Sequence, residues 1–241
     1  MELQIYDLTL LIVGLLNLVM AICLLTKKYA YRHYPVYRRS RILTAVFFVV
    51  FGIDLLLHLH FQWRLSYPLL ATALSVSYFH ISGVAITWSH TSLLNPRYLS
   101  PNVVVRDVVF LVVGLPVYWF CATQCSLLVL HYSLLIFLVH AVWMTFDFYT
   151  TYFRVSRRLI AMNQASLEGF MRWMLRSCHL IIAFGIGSIV FTSLFPVDVW
   201  PYTVLLCVGG LVFIYIYDSI SEYGSVVDPA TNATEDASVK K

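Results

Sequence analysis

Among the ionisable side chains within otherwise apolar stretches of this chain, seven are singled out: Asp54, His58, His60, His80, His131, His140 and Asp147. A charge at the centre of a bilayer costs on the order of 2.5–3.5 kcal/mol on insertion scales, so groups of this kind are candidates for binding a ligand or a proton. Asp54 and His58 are four residues apart, which puts them on one helix face, with His60 following. Joined by His131 from another span, they would make an acid and imidazole cluster able to hold a proton, a divalent metal or a polar ligand group. Counting from the span ends puts His80 and His140 at nearly the same depth, where two imidazoles on different helices could serve as axial ligands to a haem b. Each feature also has a purely structural reading. Asp54 could sit neutral against His58, and His80 and His140 could each donate a hydrogen bond to a neighbouring Ser, Thr, Tyr or carbonyl. Bulky Phe and Tyr residues around both histidines leave no small-residue stripe for a macrocycle, so no cofactor is expected. Ser75, Ser77, Ser82, Trp88, Ser89 and His90 add further polar groups to the segment that carries His80.

The elements that position these residues follow from composition. The 241 residues are 60% hydrophobic and only 12% charged, with a mean hydropathy of +0.80; a soluble domain would be about a quarter charged. About 20 apolar residues carry a helix across the hydrocarbon, and seven segments are long enough: 7–26, 42–61, 67–90, 104–123, 126–150, 178–196 and 200–221. They are too long and too little alternating for barrel strands, so the expected fold is all-α, a polytopic seven-helix bundle over 1–223. Residues 224–241 are small and polar and read as a disordered cytoplasmic tail.

Orientation follows from Lys and Arg. Threading the seven segments puts fifteen of the sixteen basic residues on one side, with Arg64 alone opposite, so the N-terminus is expected outside and the C-terminus in the cytoplasm. The inner charges concentrate in 27–41 and 151–177. Lys27, Lys28, Arg32, Arg38, Arg39, Arg41, Arg154, Arg157 and Arg158 are therefore the expected surface for lipid headgroups or a cytoplasmic partner. Residues 151–177 read either as an amphipathic interfacial helix or as extensions of the flanking spans. The outer connections leave no room for an extracellular binding domain. Gly185, Gly187, Gly209 and Gly210 are expected to let helices approach, and Pro116 with Gly114 to kink the fourth span.

Several classes are excluded or disfavoured. The basic residues lie in short loops beside spans, where orientation explains them without nucleic acid. The only lysines are Lys27, Lys28, Lys240 and Lys241, which excludes a retinal Schiff base within a span. No His-x3-His pair and no CxxC occurs, against an intramembrane zinc hydrolase. Cys121 and Cys125 flank a short turn and could be bridged or free. No repeat of three helices plus three points to a duplicated transporter, and no catalytic constellation points to an enzyme.

The segments YFHISGVAITWSHTSLLNPRYLS (78–100), SCHLIIAFGIGSIVFTSLFP (177–196) and EYGSVVDPATNATEDASVKK (222–241) resemble a group of uncharacterised bacterial seven-helix integral membrane proteins. The resemblance implies a bacterial inner membrane. The expectation is a receptor-like or sensory protein that binds a small or lipophilic ligand within the bundle and contacts a cytoplasmic partner through its basic loops. The alternatives are a haem or metal redox protein using the intramembrane histidines, and a small proton-linked transporter.

Overall fold

A computed structural model describes residues 2–26, 31, 33–124, 127–161, 168–195 and 199–225, and every regular element among them is helical. The order is α1 (Glu2–Thr26), α2 (Pro35–Phe61), a single turn α3 (Trp63–Ser66), α4 (Pro68–Leu94), α5 (Pro101–Thr123), α6 (Leu127–Ala161), α7 (Glu168–Leu194) and α8 (Val199–Glu222), closed by a 3-10 turn at Tyr223–Ser225. Six of these, α1, α2, α4, α5, α6 and α8, are long and apolar enough among the described residues to cross a membrane. The protein is therefore an all-helical integral membrane protein. The expected segment at 178–196 falls on α7 and the start of the connection after it.

Local chemistry sets the boundaries. Pro35, Pro68 and Pro101 open α2, α4 and α5; a proline there gives up only an N–H that a first helical turn leaves unpaired. Gln62 ends α2 with φ at 46°, the only non-glycine residue in the left-handed region among those described. That conformation costs about 1–2 kcal/mol, and it turns the chain so that α3 can fold Arg64 back into the bundle.

The helix in the middle is not the most apolar one. α4 packs against α2, α3, α5, α6 and α7 and has 67% of its most apolar window buried, against 17% for α5, although its hydropathy is only 1.6 where α1 reaches 2.7. Lipid cannot pair with Ser, Thr or His, so a helix that carries them on several faces goes inside, whereas α6, with a hydropathy of 1.4, keeps one face for lipid. α1 and α2 meet closely at Gly52, where a Cβ would lie 2.8 Å from Leu18 Cδ2 and 3.1 Å from the Gly14 carbonyl oxygen. Gly185 and Gly187 were expected to serve the same purpose and do not. A Cβ on either would meet nothing within 4 Å, because α7 stands off from its neighbours along that face.

One loop expectation is corrected and, for 151–177, one of the two readings is favoured. α2 begins at Pro35, so Arg38, Arg39 and Arg41 belong to a helix rather than to the preceding connection; arginine is a good helix former and does not end the element at the apolar boundary. Arg38 and Arg39 are exposed, but Arg41 is buried and not a headgroup contact. Its Nη2 and Nε donate to the Leu24 carbonyl at 2.8 and 3.3 Å and its Nη1 to Tyr37 Oη at 3.2 Å, satisfying carbonyls that the last turn of α1 leaves open. Tyr37 Oη in turn donates to the Ile220 carbonyl at 2.7 Å, so one arginine and one tyrosine tie α1, α2 and α8 together. At 151–177, α6 runs on to Ala161 and α7 starts at Glu168: the basic stretch extends the two flanking helices, leaving Arg154 and Arg157 exposed and Arg158 on α6. Lys27, Lys28, Arg32, Cys125 and residues 226–241 lie outside the described residues.

Truncating Arg41 removes several charge-assisted hydrogen bonds at once. Arg41→Ala is expected to cost about 1.5–3 kcal/mol in reversible unfolding by SDS in mixed micelles, while Arg39→Ala leaves the transition where it is. Equal midpoints for the two variants would contradict the capping role.

Candidate functional site

Three spacings build the site. His80 and Trp88 are two turns apart on α4, His140 and Asp147 two turns apart on α6, and Asp107 and Tyr118 three turns apart on α5, so each pair shares a face and the three faces meet. The result is a continuous line of hydrogen bonds, buried from Tyr118 to Asp107 and part-buried from there to Asp147. Tyr118 Oη lies 3.0 Å from His80 Nδ1, His80 Nε2 lies 2.7 Å from His140 Nδ1, and His140 Nε2 lies 3.0 Å from Asp107 Oδ1. Trp88 Nε1 donates to Asp107 Oδ2 at 2.6 Å. Arg106 Nε donates to Asp107 Oδ1 at 2.7 Å and its Nη1 to Asp147 Oδ2 at 2.6 Å. Tyr98 Oη closes the line on Asp147 Oδ2 at 3.4 Å. Burial, and then the Asp147 carboxylate, push the Tyr98 phenol well above its ordinary range, so it stays protonated and donates.

One carboxylate sets the direction of every bond between Tyr118 and Asp107. An ionised Asp107 only accepts, so His140 carries its proton on Nε2 and offers Nδ1 as an acceptor. His80 must then donate from Nε2 and accept at Nδ1, which Tyr118 fills with its hydroxyl. Tyr118, His80, His140 and Asp107 are 0% exposed, so water competes for none of these bonds. Phe110 stacks on His140 with ring centroids 4.3 Å apart at 8°, and Phe137 sets its edge against His80 at 5.4 Å. α5 can come this close because residue 114 is glycine: a Cβ there would stand 3.0 Å from Tyr118 Oη and 3.3 Å from His80 Nδ1.

The other candidates fall in two groups. Asp54 and His58 do meet, with His58 Nε2 at 3.4 Å from Asp54 Oδ1, but their third partner is not His131. His58 Nε2 bonds Ser75 Oγ at 3.0 Å, and Arg64 Nη2 donates to the same oxygen at 3.1 Å while its guanidinium lies 3.7 Å from the Tyr202 ring centroid. A cavity of about 40 Å³ adjoins Asp54, His58, Arg64 and Tyr202. His58 Nδ1, Arg64 Nε and Nη1 and Tyr202 Oη have no protein partner there, and a space of that size has room for water. His131 is half-buried on α6 and its Nε2 is likewise unpartnered. His60 is exposed at the end of α2 against Phe61 and joins neither group.

His80 and His140 do not stand as an axial pair in this arrangement. Two axial imidazoles must stand on opposite sides of a macrocycle, each about 2 Å from the metal. His80 and His140 bond each other directly at 2.7 Å, and their remaining nitrogens are taken by Tyr118 and Asp107, so no donor is free. Among the described residues no three His, Cys, Asp or Glu side chains converge as a metal-ligand set.

Asp107, Arg106, Tyr118 and Arg64 were not among the candidates read from the sequence. Asp107 could have been found. It lies within the expected fourth span, where a carboxylate carries the same cost as those of Asp54 and Asp147. No protein-family model matches the chain, and neither a curated protein nor a solved structure does so at a significant level.

Removing Asp107's charge leaves Arg106 and the imidazole line without their common acceptor. Asp107→Asn is expected to lose about 3–5 kcal/mol of stability. In a double-mutant cycle with His140→Phe the two effects should couple by about 0.5–3 kcal/mol; strict additivity would show that the line is not a unit. Gly114→Ala should also destabilise, by about 1–3 kcal/mol from overpacking. Gly83→Ala, whose Cβ would meet only Met144 Cε at 3.7 Å, should be tolerated in the same denaturation assay.

Proposed function

We propose that the chain is a receptor-like, non-enzymatic protein of seven spans, N-terminus outside and C-terminus in the cytoplasm, whose two-state element is the hydrogen-bonded line from Tyr118 to Asp147. The observation that carries this reading is that all the bonds between Tyr118 and Asp107 point the same way and join three helices. An extra proton on either imidazole turns an acceptor nitrogen into a donor that faces another donor. The line can therefore change protonation state only if Tyr118 rotates or α4, α5 and α6 shift. Conversely, a shift of one helix breaks the line and opens the imidazoles to water. Such an all-or-none coupling between helix position and buried charge is what a membrane receptor needs.

α7, 27 residues long, supplies the seventh span. Exposed Arg38, Arg39, Arg154 and Arg157, together with Lys27, Lys28 and Arg32, then form the cytoplasmic surface for anionic headgroups or a signalling partner. The resemblance noted in the sequence supports placing the protein in a bacterial inner membrane.

A proton-linked carrier is the second reading. It is favoured by the Asp54, His58 and Arg64 cluster, since Ser75 lies only five residues before His80 on α4, roughly 7.5 Å along the axis. The two polar groups would then be successive stations on one path.

Spin labels at Arg97→Cys and Arg154→Cys, in a background lacking the native cysteines, read the separation of the α4–α5 connection from α6. The receptor reading expects one narrow distance distribution for the otherwise unaltered chain, a second and longer population in Asp107→Asn, and no dye-detected proton uptake by sealed vesicles under an imposed gradient. Proton uptake would put the carrier in its place. An unchanged distance distribution in Asp107→Asn would dispose of the two-state element.

A further inference from the structure

Beside the polar line, and separate from it, α4, α6 and α7 enclose a cavity of about 250 Å³, larger than the apolar cavity of about 150 Å³ that takes up benzene in an engineered protein. Its floor is aromatic, with Phe51, Phe79, Phe184 and Phe213 in mutual contact at centroid distances of 4.8–6.4 Å. Its mouth faces lipid: the rim residues Leu138 and Val142 of α6 and Ile186 of α7 are 45%, 61% and 55% exposed. A molecule dissolved in the bilayer can reach the cavity sideways between α6 and α7.

Two polar atoms in this apolar space have no partner. His90 is 2% exposed and lines the cavity; its Nδ1 donates to the Ile86 carbonyl at 3.1 Å, and its Nε2 has no hydrogen bond. Ser82, 1% exposed and also in the lining, has an unpaired Oγ. An unpaired buried polar atom costs about 1–3 kcal/mol, so two beside one cavity mark groups waiting for a ligand. Because Nδ1 carries the proton, His90 Nε2 can only accept, and the ligand must bring a donor. Ser82 lies eight residues before His90, two turns along the same face of α4 and about 12 Å away, where it can meet a second polar atom or the far end of a chain. No cation or anion on the lining would hold a charged headgroup.

We infer that this cavity binds an uncharged lipophilic alcohol taken from the bilayer, its hydroxyl donating to His90 Nε2 and its hydrocarbon lying among the phenylalanines. The inference names a ligand class for the receptor reading above and rests on that reading only for its biological meaning.

Trp173 gives the signal, since its ring stacks on His90 at 6.3 Å and 11°. Protein in nanodiscs is titrated with 2-bromodecan-1-ol, whose bromine lies next to the hydroxyl and so beside Trp173, where it quenches the indole, and with the methyl ether of the same compound. Expected are saturable quenching by the alcohol, absent in Trp173→Phe, and affinity about tenfold weaker for the ether. His90→Phe should bring the alcohol down to the level of the ether. Gly185→Phe should abolish saturation, since residue 185 lines the cavity and a Cβ there meets no other atom. Equal affinities for alcohol and ether, or no saturable quenching by either, overturn the inference, and neither comparison needs a variant to fold. An intact distance response in Asp107→Asn alongside a failed titration would remove the ligand and leave the two-state element; the reverse pattern would remove the element and keep the site.

Discussion

The bundle depends on the Asp107 carboxylate. It is fully buried and accepts from an indole, an imidazole and a guanidinium, one from each of α4, α6 and its own helix. A buried charge is tolerable only when paired and fully bonded, and these three donors meet that condition while fixing the relative height of three helices. Each depends on the others: without Arg106 the carboxylate would be uncompensated, and without the carboxylate neither histidine tautomer would be defined. Apolar packing between membrane helices gives little registry of its own, because lipid is as good a partner as leucine. The polar line supplies that registry.

The placement of α4 follows from the same constraint. A helix bearing Ser75, Ser77, His80, Ser82, Ser89 and His90 on several faces has no face to offer to lipid, so it must be surrounded. α2, α5, α6 and α7 do that, and their outward faces carry exposed Val, Leu, Ile and Phe. α1 and α8 are then held at the periphery by a different device, the buried Arg41 and Tyr37 at one end. The interior thus has two polar anchors, one central and one peripheral, joined by an aromatic core running from Phe47 to Phe213.

The helices were legible in the sequence because apolar length is a local property that lipid enforces without regard to neighbours. The same applies to the equal depth of His80 and His140, since rise per residue is fixed. Their direct bond was not legible, because it depends on the rotation of α4 and α6 about their own axes, which tertiary contacts set. Gly114 looked like a kink site next to Pro116; its role as the gap that admits His80 appears only once α4 is in place. Arg41 and Arg64 misled for the opposite reason. Counting charges assigns basic residues to surfaces, whereas a guanidinium with a long apolar stem can fold inward to unpaired carbonyls or an aromatic face. Gly185 and Gly187 misled because a small residue signals either a close contact or an open space, and only the neighbouring helix decides which.

The alcohol cavity and the polar line share helices without sharing atoms. On α6, His140 belongs to the line and Ala141 and Thr145 to the cavity lining; on α4, His80 and Trp88 belong to the line and Ser82 and His90 to the lining. Adjoining faces of the same two helices therefore see the two sites, and Phe137, which lines the cavity, also sets its edge against His80. A ligand can shift the line only by as much as its affinity differs between two arrangements of α4 and α6. That difference would come from α7, which forms the far wall of the cavity and stands off from its neighbours at Gly185 and Gly187. Drawing α7 inward would press on the face of α6 beside His140, where Phe137 and Met144 line the cavity. The bond between His140 and His80 has no slack at 2.7 Å, so α6 either resists as a rigid unit with α4 and α5 or lets the line part. The stiffness that the carboxylate imposes is what would make the response of the bundle a switch rather than a gradual deformation.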